Sequence, residues 1–299
     1  EVQDLTEVQL DAIIKSSFDK RKLYFFGDQN QSINPTLFDI STIQRCLMAN
    51  LVNEVVEPYK MNKSYRVGPL LADYINSLTE IINKKIGSSG DPLETSALTG
   101  DDSKWGYKSR EGKDADEILL QAFHDAKTIV IVPDTETIAS LIEKYGDIVK
   151  DRAITIYDSK GLEWDKVVLY NMLSFNKEKF EEILNDKAYN STLHRMIFNQ
   201  YYVGCTRAHV FFVVIESNIS ELVENTMLSR LVVAPRDVIS ADNSSESWAI
   251  EGQRLFAYGE YKLARNALLR AKDDNSLKLA EVCSWMLERK YTEEHAQYC

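Results

Sequence analysis

A short polar stretch in the middle of the chain carries side chains suited to holding an anion. It runs from Thr155 to Asp165 and reads Thr-Ile-Tyr-Asp-Ser-Lys-Gly-Leu-Glu-Trp-Asp. Strand-like runs flank it on both sides, so its turn combines backbone amides with charges of both signs. Such a turn suits a polyanion or the sugar of a nucleotide. A plain solvated turn is the alternative.

Two segments nearer the N-terminus offer further groups for phosphate chemistry. The apolar run Leu23–Phe26 leads into Gly-Asp-Gln-Asn-Gln-Ser-Ile, in which Gln31 is able to donate to a phosphate oxygen and to accept from a water. Further on, Arg66 stands just before a helical pattern and could bind a phosphate with two donors, while Tyr65 could stack on a base. The alternatives are a simple turn, a surface arginine and a half-buried tyrosine.

A second arginine completes this set of candidate phosphate-binding side chains. Arg207 lies at the end of a helical pattern, Leu193–Thr206, and just before an apolar strand pattern, Val210–Ile215. An arginine in this position could act as an arginine finger, which stabilises negative charge as a γ-phosphate leaves. It could also simply complement the dipole at a helix C-terminus.

The composition limits the function classes. With 299 residues, 44% of them hydrophobic and 27% charged, the chain fits two or three folded domains. The net charge of −11 means that any nucleic-acid contact must use a local groove rather than the whole surface. The four cysteines and four histidines lack the spacing of a metal site or disulfide frame, which predicts reduced intracellular thiols and no bound metal. We expect neither a membrane span nor a signal peptide.

The hydrophobic pattern predicts an α/β fold with a parallel sheet and flanking helices. Short apolar strands alternate with amphipathic helices over most of the chain, and polar loops follow the strands. The predicted strands are Leu23–Phe26, Thr128–Val132, Ala153–Tyr157, Lys166–Met172 and Val210–Ile215. The polar stretch Gly87–Asp114 is predicted to be a linker or a long surface loop, and Asp134 is predicted to cap a helix that ends at Tyr145.

The C-terminal part has a different, all-helical pattern. Its apolar and small residues fall at the positions of a tetratricopeptide helix pair: Trp248, Gly252, Leu255, Tyr261, Ala264, Leu268 and Ala271. Small residues there would let two helices approach closely, and a third helix is predicted at about Ser276–Leu287. An ordinary helical cap on the α/β domain is the alternative.

Taken together, five segments in a fixed order resemble the motifs of superfamily 1 helicases of the UvrD/Rep type. Glu1–Asp4 resembles the end of the Asp-Glu-x-Gln-Asp motif, and residues 27–33 resemble Gly-Asp-x-x-Gln. Residues 64–66 are similar to Asn-Tyr-Arg, and residues 155–165 to Thr-x-His-x-Ser-Lys-Gly-Leu-Glu. Residues 202–207 are similar to Val-Ala-Leu-Thr-Arg. The helicase-plus-tetratricopeptide order is also similar to that of large eukaryotic proteins with tetratricopeptide and ankyrin repeats.

The resemblance implies RecA-like domains and ATP-driven movement along single-stranded DNA or RNA. The resemblance implies that Glu1 orients the attacking water and that Gln31 senses the γ-phosphate. It implies that Tyr65 stacks on adenine and that Arg66 and Arg207 clamp the γ-phosphate. It also implies that Gly161 and Glu163 contact phosphate and ribose. Thr155 and Tyr157 would face the nucleic-acid strand, although Tyr157 replaces the histidine usual in the family. We expect Gln31, Arg66, Glu163 and Arg207 to converge on one crevice.

One motif of the family is missing. No Gly-x-x-x-x-Gly-Lys-Ser/Thr loop occurs in the sequence, and neither does the aspartate that would precede Glu1 and hold Mg²⁺. We therefore expect a fragment whose ATP and Mg²⁺ are bound mainly by upstream sequence, and which is inactive alone.

The predicted organisation has three parts and two functional interpretations. Residues 1–56 would be a remnant of a first RecA-like domain, residues 57–235 a second one, and residues 242–299 tetratricopeptide-like helices that could bind a protein partner. The first interpretation is part of an ATP-dependent DNA or RNA helicase or translocase, in the nucleus or cytoplasm. The alternative is an ATP-controlled interaction scaffold with a degenerate helicase module.

Overall fold

A computed structural model describes residues 2–19, 22–34, 40–50, 59, 61, 63–64, 68–87, 94–95, 106–188 and 191–296. Short 3-10 turns occur at Val2–Asp4 and Gln29–Gln31. The helices and strands follow in chain order: α1 (Glu7–Ser16), α2 (Ile40–Asn50), β1 (Lys63–Ser64), α3 (Pro69–Lys85), β2 (Glu94–Thr95), β3 (Gly106–Arg110), α4 (Lys113–His124), β4 (Thr128–Val132), α5 (Thr135–Tyr145), α6 (Val149–Arg152), β5 (Ala153–Thr155), β6 (Trp164–Tyr170), α7 (Met172–Phe175), α8 (Lys177–Leu184), α9 (Ser191–Thr206), β7 (Ala208–Glu216), α10 (Glu221–Met227), β8 (Val232–Val233), α11 (Ser245–Ala257), α12 (Tyr261–Ala271) and α13 (Asp274–Ala296).

The chain forms two compact units, each built from separate stretches of sequence. The first comprises Glu1–Gly106, Met172–Val210 and Asn218–Leu231. The second comprises Tyr107–Asn171, Phe211–Ser217 and Val232–Cys299. The predicted boundaries 1–56, 57–235 and 242–299 follow the motifs along the chain, and they stay a prediction.

A six-stranded parallel sheet is the centre of the second unit, in the order β5-β4-β6-β7-β3-β8. Strand β4 pairs with β5 on one side, where Val130 lies opposite Ala153, and with β6 on the other, where Val130 lies opposite Val168. All five residues of β4 are buried, as expected for a parallel strand with both faces covered. The predicted α/β class and parallel sheet are confirmed.

Helices α4, α5 and α6 supply the apolar residues that cover one face of this sheet. Ile118, Leu119 and Phe123 of α4 pack in the same buried cluster as Val130 of β4 and Val168 of β6. The start of α5 is fixed as the sequence predicted, because the side chain of Asp134 accepts a hydrogen bond of 2.8 Å from the backbone N–H of Thr137.

A small helical core organises the start of the first unit. Helix α1 begins with a capping box, in which Thr6 accepts from the backbone of Gln9 and the Gln9 side chain accepts from the backbone of Thr6. Leu10 and Ile14 of α1 pack against Cys46 and Leu47 of α2. The N-terminal turn joins the same core through Val2.

The predicted strand Leu23–Phe26 is wrong, since these residues form no strand in the part of the chain that the structure describes. Their side chains do alternate: Leu23 and Phe25 pack into the helical core, whereas Tyr24 and Phe26 are exposed. The backbone of Val2 donates a bond of 3.0 Å to the carbonyl of Phe26. The alternation of buried and exposed side chains therefore indicates an extended backbone that packs on one side. A β-strand also requires backbone hydrogen bonds to a neighbouring strand.

The predicted loop Gly87–Asp114 contains an element of the sheet. Its last part forms β3 and the first residues of α4. Tyr107 of β3 packs edge-on against the ring of Phe211 in β7, with 5.7 Å between ring centroids. The polar composition gave no strand pattern, because β3 reads Gly-Tyr-Lys-Ser-Arg and Tyr107 is its only large hydrophobic side chain.

The polar segment before the C-terminal helices is fixed to the sheet. The backbone N–H of Asp242 donates to the buried Asp125 carboxylate at 3.0 Å. The backbone carbonyl of Asp242 accepts from the N–H of Ala126 at 3.0 Å. Hydrogen bonds from the hydroxyls of Ser247 and Ser244 lower the pKa of Asp242 to about 2. The segment around Asp242 is therefore held by hydrogen bonds to the residues between α4 and β4, which fixes the position of the chain just before α11.

Three helices complete the second unit, as predicted, and α13 begins earlier and ends later than expected. Buried Leu255 of α11 and Leu268 of α12 belong to this bundle. The backbones come close at Gly252, where an added Cβ would lie 2.5 Å from Cγ of Leu268 and 3.2 Å from its backbone nitrogen. None of the helices in the described part of the chain combines the length and apolarity that a bilayer crossing demands.

We expect Gly252→Ala to destabilise the second unit. Replacing a mid-helix glycine by alanine ordinarily gains up to about 1 kcal/mol, but overpacking against Leu268 costs about 1–3 kcal/mol. The net effect should be a loss of about 1 kcal/mol in the free energy of unfolding, measured by urea denaturation. The control is Gln253→Ala on the exposed side of the same helix, which should change stability by less than about 0.5 kcal/mol. A Gly252→Ala protein as stable as the parent would contradict the close packing of the two helices.

Candidate functional site

Two of the predicted phosphate-contacting residues meet within the first unit. Arg207 directly follows α9, and Gln31 ends the Gln29–Gln31 turn. Although they are 176 positions apart in sequence, Nη2 of Arg207 donates a hydrogen bond of 3.1 Å to Oε1 of Gln31. The sensor-type glutamine and the candidate arginine finger are therefore in direct contact.

The same glutamine is also bonded to a carboxylate. Nε2 of Gln31 donates to Oδ2 of Asp28 at 3.0 Å, and Oδ1 of Asp28 accepts from the backbone N–H of Asn30 at 2.9 Å. Asp28 thus caps the turn and holds the Gln31 amide with its oxygen toward Arg207. The amide links a negative group to a positive one, and its dipole is aligned with both.

Arg207 is buried, with only 3% of its surface exposed. Its Nε donates to the carbonyl of Val203 at 3.2 Å, and Nη2 also donates to the hydroxyl of Thr206 at 3.2 Å. A buried guanidinium needs such acceptors, because removing its charge from water is expensive. The bonds to α9 fix the base of the side chain, so the fork is held in one orientation.

Residues that sequence reasoning did not single out hold this arrangement together. Nδ2 of the buried Asn199 in α9 donates to the carbonyls of Gln29 and Ser32, at 3.1 and 3.0 Å. Asn199 therefore fastens the turn to the helix that leads to Arg207. A buried polar residue about two turns before Arg207 on the same helix was the available signal.

The glycine that opens this loop is explained by close packing. A Cβ at Gly27 would lie 2.6 Å from Val2 Cγ1 and 2.9 Å from Oε1 of Gln3. The same Gln3 oxygen accepts from the backbone N–H of Asp28 at 3.3 Å. The N-terminal turn and the Asp28–Gln31 loop can be joined only because residue 27 has no side chain.

The polar stretch from Thr155 to Asp165, called the central turn below, lies in the second unit, at the end of β5. The hydroxyl of Thr155 donates to the Asp158 carboxylate at 2.7 Å and accepts from the Asp158 backbone at 3.2 Å. Ser159 is fully buried, and its hydroxyl donates to the carbonyl of Ile156 at 2.8 Å. Gly161 has a φ of +78°, a left-handed conformation that glycine adopts without strain.

Several backbone N–H groups that could have bound a ligand are hydrogen-bonded within the turn itself. The backbone N–H groups of Ser159, Lys160 and Leu162 donate to carbonyls inside the turn, at 3.1 to 3.4 Å. Of the two residues assigned to a nucleic-acid strand, Thr155 is buried and Tyr157 is 48% exposed. Tyr157, Asp158 and Gly161 are the exposed residues of the turn, and Lys160 and Glu163 are partly exposed.

The remaining predicted residues divide as follows. Glu1, Tyr65 and Arg66 lie outside the described residues. Gln31 and Arg207 belong to the first unit, and Thr155, Tyr157, Gly161 and Glu163 to the second. The convergence of all four key groups and the individual roles stay predictions. Within the described ranges, no three His, Cys, Asp or Glu side chains group in a way that could hold a metal ion.

Comparison with known proteins gave a match among solved structures. No protein-family model matches the sequence, and no curated protein matches it either. A crystal structure described as the C-terminal domain of a possible DNA helicase from Lactobacillus plantarum WCFS1 aligns with 57% of this chain and 98% of its own. The sequence identity is 15% and the TM-score 0.36, so this likeness does not define the activity of the chain.

We expect Gln31→Leu to lower the stability of the first unit. The variant has a similar size but removes the amide that serves both Asp28 and Arg207, so each of these two side chains loses a hydrogen bond. Such losses cost about 1–3 kcal/mol of unfolding free energy, measurable by urea denaturation. The neighbouring Gln29→Leu is the matched control, since Gln29 contacts Asn199 through its backbone carbonyl. Equal stabilities of the two variants would contradict the importance of the amide link.

Proposed function

We propose that this chain is part of an ATP-dependent translocase of the superfamily 1 helicase type that acts on single-stranded DNA or RNA. Gln31 would sense the γ-phosphate, and Arg207 would stabilise its charge during transfer. The observation that carries the proposal is the 3.1 Å hydrogen bond between these two side chains, which belong to separate motifs. In this proposal, ATP and Mg²⁺ are bound mainly by sequence upstream of Glu1.

The chemistry of the contact suits a phosphate sensor. The carboxamide oxygen of Gln31 is a neutral acceptor for Arg207. A phosphate oxygen is charged, so its hydrogen bonds with a guanidinium are shorter and stronger. A γ-phosphate within reach would therefore compete with Gln31 for the Arg207 fork. Arrival and loss of the phosphate would exchange one partner for the other, which is the type of local change that opens and closes a nucleotide cleft.

The other predicted roles are part of the same proposal. Tyr65 would stack on adenine, and Arg66 would join Arg207 on the γ-phosphate. Glu1 would orient the attacking water, while Gly161 and Glu163 would contact phosphate and ribose. Thr155 and Tyr157 would face the nucleic-acid strand, with Tyr157 as the exposed member of the pair.

The 299-residue chain alone should not hydrolyse ATP. Its sequence contains no phosphate-binding glycine-rich loop, and Arg207 supplies charge stabilisation rather than a nucleotide-binding site. Phosphate release should equal that of the Arg207→Ala chain with or without single-stranded DNA or RNA. Turnover above that control would show that the chain binds and hydrolyses ATP by another route.

The decisive experiment uses the chain together with the sequence that precedes Glu1. Arg207→Ala should reduce kcat for strand-stimulated ATP hydrolysis by about 10³-fold with little change in KM. Arg207→Lys should recover little, because an ammonium lacks the planar fork. The control is Arg236→Ala, which removes an exposed arginine paired with Asp114. A kcat for Arg207→Ala within tenfold of the parent would overturn the assignment; folding is checked by circular dichroism.

A scaffold function is the second candidate, and one surface feature favours it. Helix α13 exposes the apolar side chains of Leu277, Val282 and Trp285, which a protein partner would bury on binding. In that case the helical segment would bind a protein and the helicase-like part would act as a switch. ATP binding without strand-stimulated turnover in the longer protein would favour the scaffold over the motor.

A further inference from the structure

One carboxylate holds both ends of the central turn. Glu251 of α11 accepts a hydrogen bond of 3.3 Å from Nη1 of Arg152 and one of 3.1 Å from Nε1 of Trp164, both on its Oε1 atom. Arg152 immediately precedes β5, which leads into the turn, and Trp164 immediately follows Glu163. A single side chain of the C-terminal helices thus bridges the entrance and the exit of the segment that carries Thr155, Gly161 and Glu163.

The bridging carboxylate is itself tightly oriented. Arg254, one turn further along α11, donates to Oε2 at 2.7 Å through Nε and to Oε1 at 3.0 Å through Nη2. Glu251 is buried, so these bonds form away from bulk water and are correspondingly strong. Two arginines and one indole fix both oxygens, which leaves the carboxylate little freedom to release Trp164.

Aromatic stacking supports the same connection. Trp248, one turn before Glu251, is fully buried between two guanidinium groups: Arg152 lies 4.6 Å from its ring centroid and Arg270 of α12 lies 4.0 Å from it. Cations over an indole face are stabilised by the ring, more so when they are desolvated. Trp248 and Glu251 of α11 therefore contact Arg152, and Arg270 of α12 stacks on the same indole.

The arginine that begins the turn depends on these contacts. Arg152 is buried, and among the described residues its Nε and Nη2 atoms have no hydrogen-bond partner. Its Nη1 donates to Glu251 and, at 3.1 Å, to the carbonyl of Ala126. Without Glu251, the buried guanidinium would keep the carbonyl of Ala126, the indole face of Trp248 and the more distant charge of Asp151. Arg152 and the start of β5 would then be driven to rearrange.

We propose that Glu251 is a positioning residue for the Thr155–Glu163 turn, so that the α11–α12 helices set the conformation of the segment assigned to nucleotide and nucleic-acid contact. The positioning concerns the chain itself, while its effect on ATP hydrolysis rests on the proposed function. Because coupling between two sites is reciprocal, a partner bound to these helices would alter ligand affinity at the turn by the same factor as the ligand alters partner affinity.

The test is local amide hydrogen exchange in the Glu251→Gln variant of this chain. The substitution keeps the size of the side chain but removes the charge that Arg152 and Trp164 share. We expect exchange in peptides covering residues 155–163 to accelerate about tenfold or more, the effect of losing a charge-assisted hydrogen bond. Peptides from β4 and α4 should exchange at the rate of the parent. Glu246→Gln, which neutralises an exposed carboxylate on the same helix, should leave the turn unchanged.

A spectroscopic measurement separates positioning from a general loss of stability. Glu251→Gln should shift the tryptophan emission of the parent, and the shift should be smaller in a Trp164→Phe background, where Trp248 against Arg152 still responds. If Glu251→Gln does not fold, Trp164→Phe alone replaces it in the exchange experiment, since it removes only the indole donor at the exit of the turn. Faster exchange at the turn is again the expected result.

Two outcomes overturn the proposal: uniform acceleration across the second unit, or an unchanged turn. ATP hydrolysis is measured separately, with the protein that also contains the sequence preceding Glu1. A loosened turn with unaltered kcat and KM would leave the positioning role intact and argue against the assigned role of Gly161 and Glu163. Loss of activity with an unchanged turn would also overturn the positioning role, while leaving the proposed function in place.

Discussion

The buried ion pair between Arg152 and Glu251 connects helix α11 to the residue that immediately precedes strand β5. Desolvation opposes a buried pair, so its net contribution to stability is small or even unfavourable compared with apolar residues of the same shape. Removing only one partner is different, because the other charge remains buried without compensation. Burial lowers the pKa of Arg152, and the Glu251 carboxylate opposes that shift. The pair therefore specifies one arrangement of α11 against the sheet more than it adds stability to it.

In the first unit, the buried Arg207 is bonded to a neutral amide, that of Gln31. The buried guanidinium of Arg207 donates to three neutral acceptors: the amide oxygen of Gln31, the hydroxyl of Thr206 and the carbonyl of Val203. The Gln31 amide also connects Arg207 to the carboxylate of Asp28, through two hydrogen bonds of 3.0 and 3.1 Å. An amide provides enough stabilisation to orient the fork and still leaves a charged oxygen able to displace it.

Local patterns predicted most of the sheet and few of the long-range contacts. The run Thr128–Val132 was identified with its observed bounds, because a fully apolar stretch between turns leaves little choice. Leu23–Phe26 was misassigned, since pairing depends on a neighbour that the run itself cannot specify. The contact of Gln31 with Arg207 agrees with the motif resemblance and not with any periodicity. Glu251 was missed because it lies 99 residues from Arg152 and in no motif.

The close approach at Gly252 has a consequence for related sequences. The side chain of Leu268 occupies the space that a Cβ at position 252 would need. A lineage could gain a larger residue at 252 only by shortening residue 268 at about the same time, or by letting the two helices separate. Separation would also pull Glu251, the adjacent residue, away from the indole of Trp164. Positions 252 and 268 should thus covary among homologues, and the turn should tolerate change at this helix pair only when both sides adjust.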